Sequence, residues 1–175
     1  MMNVSMNKEA KLSEHFSLAE LCKTSYHTLD GNIPSHVAIE NLRNLCENWL
    51  EDLRYSYNKL YQIRNEELEI RNCDYSAEEK EEEMPLIITS GYRSEEVNRL
   101  CGGAKGSNHL TGCAVDIRCI GPEHQIRMAS ILLDIADGSK REFDELILEK
   151  RGTTRWIHFA VRPKDNRRKI LFDMR

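Results

Sequence analysis

Nowhere does the sequence carry the roughly 20 consecutive apolar residues that a membrane-spanning helix requires, and its opening MMNVSMNKEAKLSEHFSLAEL lacks the apolar core of a secretory leader. No membrane insertion is expected, and the protein is expected to be cytoplasmic as synthesised. Positive charge is not in excess either. With 25 Lys and Arg against 29 Asp and Glu, the net charge is -4, so the basic field by which nucleic-acid binders grip phosphate is missing. Nucleic acid is therefore not an expected partner. Six cysteines are present but no two form a C-x-x-C pair, which argues against a thiolate zinc site. Without a secretory leader they read as reduced thiols rather than disulfides. Internal repeats are absent, and so is low complexity beyond one charge-dense stretch.

What remains is a soluble-type composition, 40% hydrophobic and 31% charged over 175 residues, enough for one core and too short for two linked domains. Residues 1–12 are expected to be a flexible N-terminus and 13–175 a single domain. Ser17 with Glu20 three residues on forms a capping-box start for a short helix ending near Leu21. Apolar positions at helical spacing predict a long amphipathic helix over 35–61, with Trp49, Tyr55 and Tyr57 as packing and surface residues. The stretch RNEELEIRNCDYSAEEKEEE, 64–83, reads as a charged surface insertion. MPLIITSGYRS reads as a buried strand feeding a turn, and Ser94 as the cap of a helix ending at Gly102-Gly103. A strand over Cys113–Ile117 precedes a helix over Pro122–Ala136, with Gly138 just past its end. FDELILEK and RWIHFAV around RGTT read as a β-hairpin, and RPKDNRRKILFDMR as a basic tail. Helices followed by strands give an α+β domain with an antiparallel sheet and flanking helices.

Of the six histidines, His15, His27, His36 and His124 have no evident partner in the sequence. His109 differs, because Asp116 follows it in a segment loosened by Gly106 and Gly112. His158 lies inside the apolar run Trp156-Ile157-His158-Phe159-Ala160, where an unpaired imidazole is awkward to bury. Two imidazoles and a carboxylate suit a catalytic zinc, which takes three protein ligands and keeps one position open. Spacing alone leaves the alternative of two ordinary polar residues and a core histidine. In the hairpin, Lys150 should face Arg155, Glu149 face Trp156 and Ile147 face His158. Glu149 would then lie diagonally beside His158 as a candidate general base, or else be a solvent-facing or Arg155-paired carboxylate. A one-residue slip would remove that relation. Arg93, in the turn Ser90-Gly91-Tyr92-Arg93-Ser94, could grip a carboxylate, or simply be a surface residue.

ITSGYRSEEVNRLCGGAKGSNHLTGCAVDI, with FDELILEK and WIHFAVRPKDNRRKIL, resembles the zinc D-Ala-D-Ala carboxypeptidases and their relatives. These include the D-Ala-D-Ala dipeptidases of vancomycin resistance, phage L-Ala-D-Glu endolysins and the hedgehog signalling domain. The small phage and prophage branch is the most similar, since its chains also open with a phrase like HFSLAEL. The core Ser-x-His-x-x-Gly-x-Ala-x-Asp spans Ser107 to Asp116. The resemblance implies a hedgehog/D-Ala-D-Ala-peptidase-like fold, zinc held by His109, Asp116 and His158, and substrate contacts from Arg93 and Ser107. Several members place the base three residues before the last histidine, where this chain has Arg155, which leaves Glu149 as the candidate and Asp144 as a second. The implied reaction is hydrolysis of a D-alanine-containing peptidoglycan stem peptide by a monomer, reaching the wall after lysis or through a holin. A non-catalytic zinc-binding domain is the alternative, and a metal-free phage assembly component a third reading.

Overall fold

The computed structural model describes residues 10–72 and 83–174. The central part of the charged stretch, 73–82, and the first nine residues of the expected flexible N-terminus lie outside the described residues. The element order is α1 Leu18–Leu21, α2 His36–Leu45, α3 Glu51–Asn72, β1 Ile88–Ser90, α4 Glu95–Leu100, β2 Ala114–Cys119, α5 Pro122–Ser139, β3 Glu145–Arg151, β4 Thr154–Ala160 and β5 Lys169–Asp173.

Side-chain caps start the helices where the sequence placed them. The Ser17 hydroxyl accepts from the Glu20 amide and the Ser94 hydroxyl from the Val97 amide, each satisfying a donor that a helix N-terminus leaves open. The long helix differs from the expectation. A π-helical turn, Cys46–Leu50, joins α2 to α3, and α3 runs on to Asn72, through the first part of the charged stretch. Such a turn resets the helical phase, so Leu42, Leu45, Cys46, Trp49, Leu50 and Leu53 are all buried. α5 also outruns its expected end. Gly138 lies within its last turn, and Lys140, in the left-handed region at φ 56°, closes it.

The sheet order is β1-β2-β4-β3-β5. The first three pairings are antiparallel and β3–β5 is parallel, so the sheet is mostly antiparallel, as the α+β expectation has it, and the stretch read as a basic tail supplies its fifth strand. Both neighbours of β4 are already taken by β2 and β3. The returning chain, running against β4, adds at the free edge of β3 and is therefore parallel to it. The hairpin keeps the expected register, with Lys150 opposite Arg155, Glu149 opposite Trp156 and Ile147 opposite His158. Arg151 and Thr154 also pair, which shortens the expected RGTT turn to Gly152 and Thr153.

Alternation divides each strand between two faces. Val115, Ile117, Ile157 and Phe159 are fully buried in the core that the helices cover. Trp49 anchors that core, its ring 5.0 Å from Phe159 and 6.4 Å, edge-on, from Phe143. Gln125 of α5 pins the hairpin. Its amide donates to the carbonyls of Glu149 at 2.9 Å and Trp156 at 2.7 Å, and its oxygen accepts from Arg155 at 3.2 Å. Buried Cys46 and Cys119 keep free thiols, and burial pushes the Cys119 thiol up to about 12.

Asp144, fully buried at the start of β3, ties down the segment before β5. It accepts from Arg167 Nε at 2.8 Å and Nη2 at 2.6 Å and from Asn108 Nδ2 at 2.8 Å, and Arg162 Nε stands 3.1 Å away. Burial alone would raise its pKa, but the bonds from Arg167 and Asn108 bring it down to about 2. A carboxyl depressed on folding stabilises the native state above its unfolded value of 3.8, and that contribution is lost as pH falls toward about 2. Asp144→Asn should cost about 2 kcal/mol at neutral pH and remove this acid dependence, as read from urea midpoints at pH 7 and across the acid range.

Candidate active site

The open face of the sheet carries the polar residues. Asp116 on β2 and His158 on β4 are direct cross-strand partners, so their side chains leave the sheet side by side. His109 comes from outside, on a 3-10 turn, Asn108–Thr111, whose cap Ser107 accepts from the His109 amide at 3.4 Å. Gly112 ends that turn at φ 70°, and a Cβ there would also collide with the Ala38 carbonyl oxygen. The motif glycine is thus required twice, by its left-handed backbone and by the close approach of α2.

All three residues are buried, at 2% exposure for His109, 7% for Asp116 and 8% for His158. His109 Nε2 lies 3.2 Å from Asp116 Oδ1 and 3.2 Å from His158 Nδ1, and His158 Nδ1 lies 3.0 Å from the same Oδ1. His109 Nδ1 donates to the Gly91 carbonyl at 2.6 Å, which leaves Nε2 as a lone pair aimed at the cluster. Three lone-pair atoms therefore meet in a buried pocket, a costly arrangement unless a cation or a proton sits between them. The separations are close to the roughly 3.3 Å edge of a tetrahedron with zinc bonds of 2.0 to 2.1 Å. The donor set fits a metal ion, and this is the one group of three such residues among those described.

The charges match. Burial pushes the Asp116 carboxyl up, but His109 and His158 hold it far below the ordinary carboxylate range. Burial pushes His109 down. It also lowers His158, against which the Asp116 and Glu145 carboxylates win, raising it to about 9 without a metal.

A groove of about 700 Å³ opens over the cluster, with Arg93, Ser107, Glu145, Glu149, Arg151 and Trp156 in its lining. Arg93 donates from Nη2 to Asp116 Oδ2 and from Nε to Ser90 Oγ at 2.7 Å, so it grips the carboxylate of the cluster while facing the groove. Glu149 lines the groove within electrostatic reach of Asp116 and His158, and burial followed by Asp116 raises its pKa. Asp144, the second base candidate, is fully buried against its arginines and is not among the groove-lining residues. Arg155 alternates with Trp156 and His158, so it points to the α5 side, where it meets Gln125. Position 155 in this chain therefore faces away from the cluster.

Residues two apart on a strand share a face. Glu145 therefore flanks His158 on the side opposite Glu149, a relation available from the same hairpin register that singled out Glu149. Its Oε2 is 3.6 Å from His158 Nε2. Two of the other histidines also have partners absent from the sequence reading: His15 pairs with Glu51 at 2.7 Å, and His124 stacks on Tyr57 with centroids 5.0 Å apart.

The family model described as Peptidase M15 matches residues 69–159, a span slightly longer than half the chain that holds the whole His-Asp-His cluster. The chain belongs to the peptidase M15 family. Membership makes it a metallopeptidase of a generally zinc-dependent family, with a His-Asp-His group that could hold the metal. No curated protein gives a significant match. Among the described residues, no helix of this M15 peptidase is long and apolar enough to cross a membrane. Gly112→Ala should lower stability by at least about 2 kcal/mol through its backbone conformation and the collision with α2, as measured by chemical denaturation.

Proposed function

We propose that the protein is a zinc-dependent peptidase that cuts a D-alanine-containing stem peptide of peptidoglycan, with His109, Asp116 and His158 as metal ligands and Glu149 as general base. The observation that supports this reading most is the meeting of three lone-pair atoms, 3.0–3.2 Å apart, at the floor of a groove that Glu149 also lines. All proposed groups lie on one chain, so a monomer suffices. A bound zinc ion supplies a water that ionises near neutral pH and Lewis acidity toward a carbonyl oxygen.

The chain's own part is positional and protonic. Asp116 and the Gly91 carbonyl orient the two imidazoles, and Arg93 keeps Asp116 Oδ2 occupied so that Oδ1 faces the cluster. Glu149 takes a proton from the attacking water as the new carbon–oxygen bond forms. It returns that proton to the amine nitrogen as the carbon–nitrogen bond breaks. The elevated pKa of Glu149 suits both directions of transfer. Ser107 and Arg93 line the groove where a substrate carbonyl or carboxylate would rest, Arg93 having one terminal nitrogen beyond its bonds to Asp116 and Ser90. With no membrane-spanning helix among the described residues, access to the wall by way of lysis or a holin is part of the proposal.

The zinc-loaded protein should bind one equivalent of metal and release D-alanine from a muramyl pentapeptide. Chelation should abolish release, and Glu149→Gln should lower kcat by about 10²- to 10⁴-fold with zinc still bound. A fully loaded wild type inert toward both pentapeptide and cross-linked stem peptides would refute the peptidase reading and leave a zinc-binding domain.

A further inference from the structure

The hairpin places a carboxylate on each diagonal of His158, and Glu145 meets the ring at the nitrogen turned away from the cluster. His158 directs Nδ1 to Asp116 and His109, and Nε2 to Glu145. The two nitrogens lie on different edges of the imidazole, so a group on Nε2 is behind the ring as seen from the cluster. Glu145 is therefore badly placed to take a proton from a water beside Nδ1, although its Oε2 stands 3.6 Å from Nε2.

Its surroundings give it a different task. Glu145 is only 15% exposed at its side chain, and nitrogen donors converge on it from three elements. Asn108 Nδ2, on the turn that carries His109, is 3.1 Å from Oε2. Arg167 Nη2 is 3.0 Å and Lys169 Nζ 3.3 Å from Oε1, both from the C-terminal segment. His158 Nε2 stands 3.6 Å from Oε2, so an imidazole, an amide and two cations surround this one carboxylate.

We propose, resting on the zinc reading above, that Glu145 is the positioning residue that fixes His158 with its proton on Nε2 and its lone pair on Nδ1, and that Arg167 and Lys169 hold Glu145 in place for this. A carboxylate behind a ligating histidine sets its tautomer and raises its basicity. Here it also pairs with Lys169 and shares Arg167 with Asp144. Through those two residues the C-terminal segment becomes part of the metal site's support.

Zinc affinity, measured by competition with a chromophoric chelator, should fall about 10- to 100-fold in Glu145→Ala. Glu145→Gln, whose amide oxygen can still accept from Nε2–H, should restore most of that loss. In parallel, ¹⁵N-detected histidine spectra of the zinc-loaded wild type should show His158 protonated at Nε2. Thermal melts of the metal-free variants separate lost affinity from lost fold. Wild-type affinity in a folded Glu145→Ala, or a wild-type His158 found to bind through Nε2, would overturn the proposal, and the spectrum decides the matter even if Glu145→Ala does not fold. Failure of the wild type to bind zinc at all would instead sink the reading on which it rests.

Discussion

Asp116 and His158 face each other across β2 and β4, and the rest of the site is arranged around that pair. A strand side chain changes face with every residue, so a slip of one position would drive either group among Val115, Ile117, Ile157 and Phe159. The apolar core therefore sets the register, and the register sets the metal chemistry. Trp49, packed against Phe143 and Phe159, supports the cluster in this indirect sense. The same alternation sorts the glutamates and arginines of the hairpin: Glu145 and Glu149 go to the groove and Arg155 to the helix.

Much of this could be read from the sequence because the decisive patterns are local. Caps at Ser17 and Ser94 announce helix starts through a single side-chain bond each. The hairpin register follows from a short turn between two strands of period two, and it correctly put Ile147 against His158. Other features depend on distant parts of the chain. β5 reads as a basic tail because its strand character comes from the vacant edge of β3, not from its own composition. The π-helical turn, which buries Cys46, Trp49 and Leu50, has no local signal. The paired grip of Arg93 on Ser90 and Asp116 joins residues that only the β1–β2 pairing brings together. Glu145 is a different case, because the period that selected Glu149 selects it equally.

Outer contacts outnumber the cluster they serve. Behind three lone-pair atoms stand the Gly91 carbonyl, Arg93, Ser107 and Glu145, and behind those stand Asn108, Arg167 and Lys169. Each holds one degree of freedom of a ring or a carboxylate, in the manner that keeps metal sites preorganised. Gln125 does the same for the hairpin from the opposite side of the sheet.

The place of β4 in the sheet has a consequence for how the protein lives without its metal. As the middle strand of five, flanked by β2 and β3 and backed by buried aromatics, it belongs to the part of a fold that opens only when the whole domain does. In small zinc modules the ion supplies the folding energy, and chelation dissolves the structure. Here the described core is hydrocarbon and its strands are paired through the backbone, so the frame around the His-Asp-His cluster rests on contacts that no ion supplies.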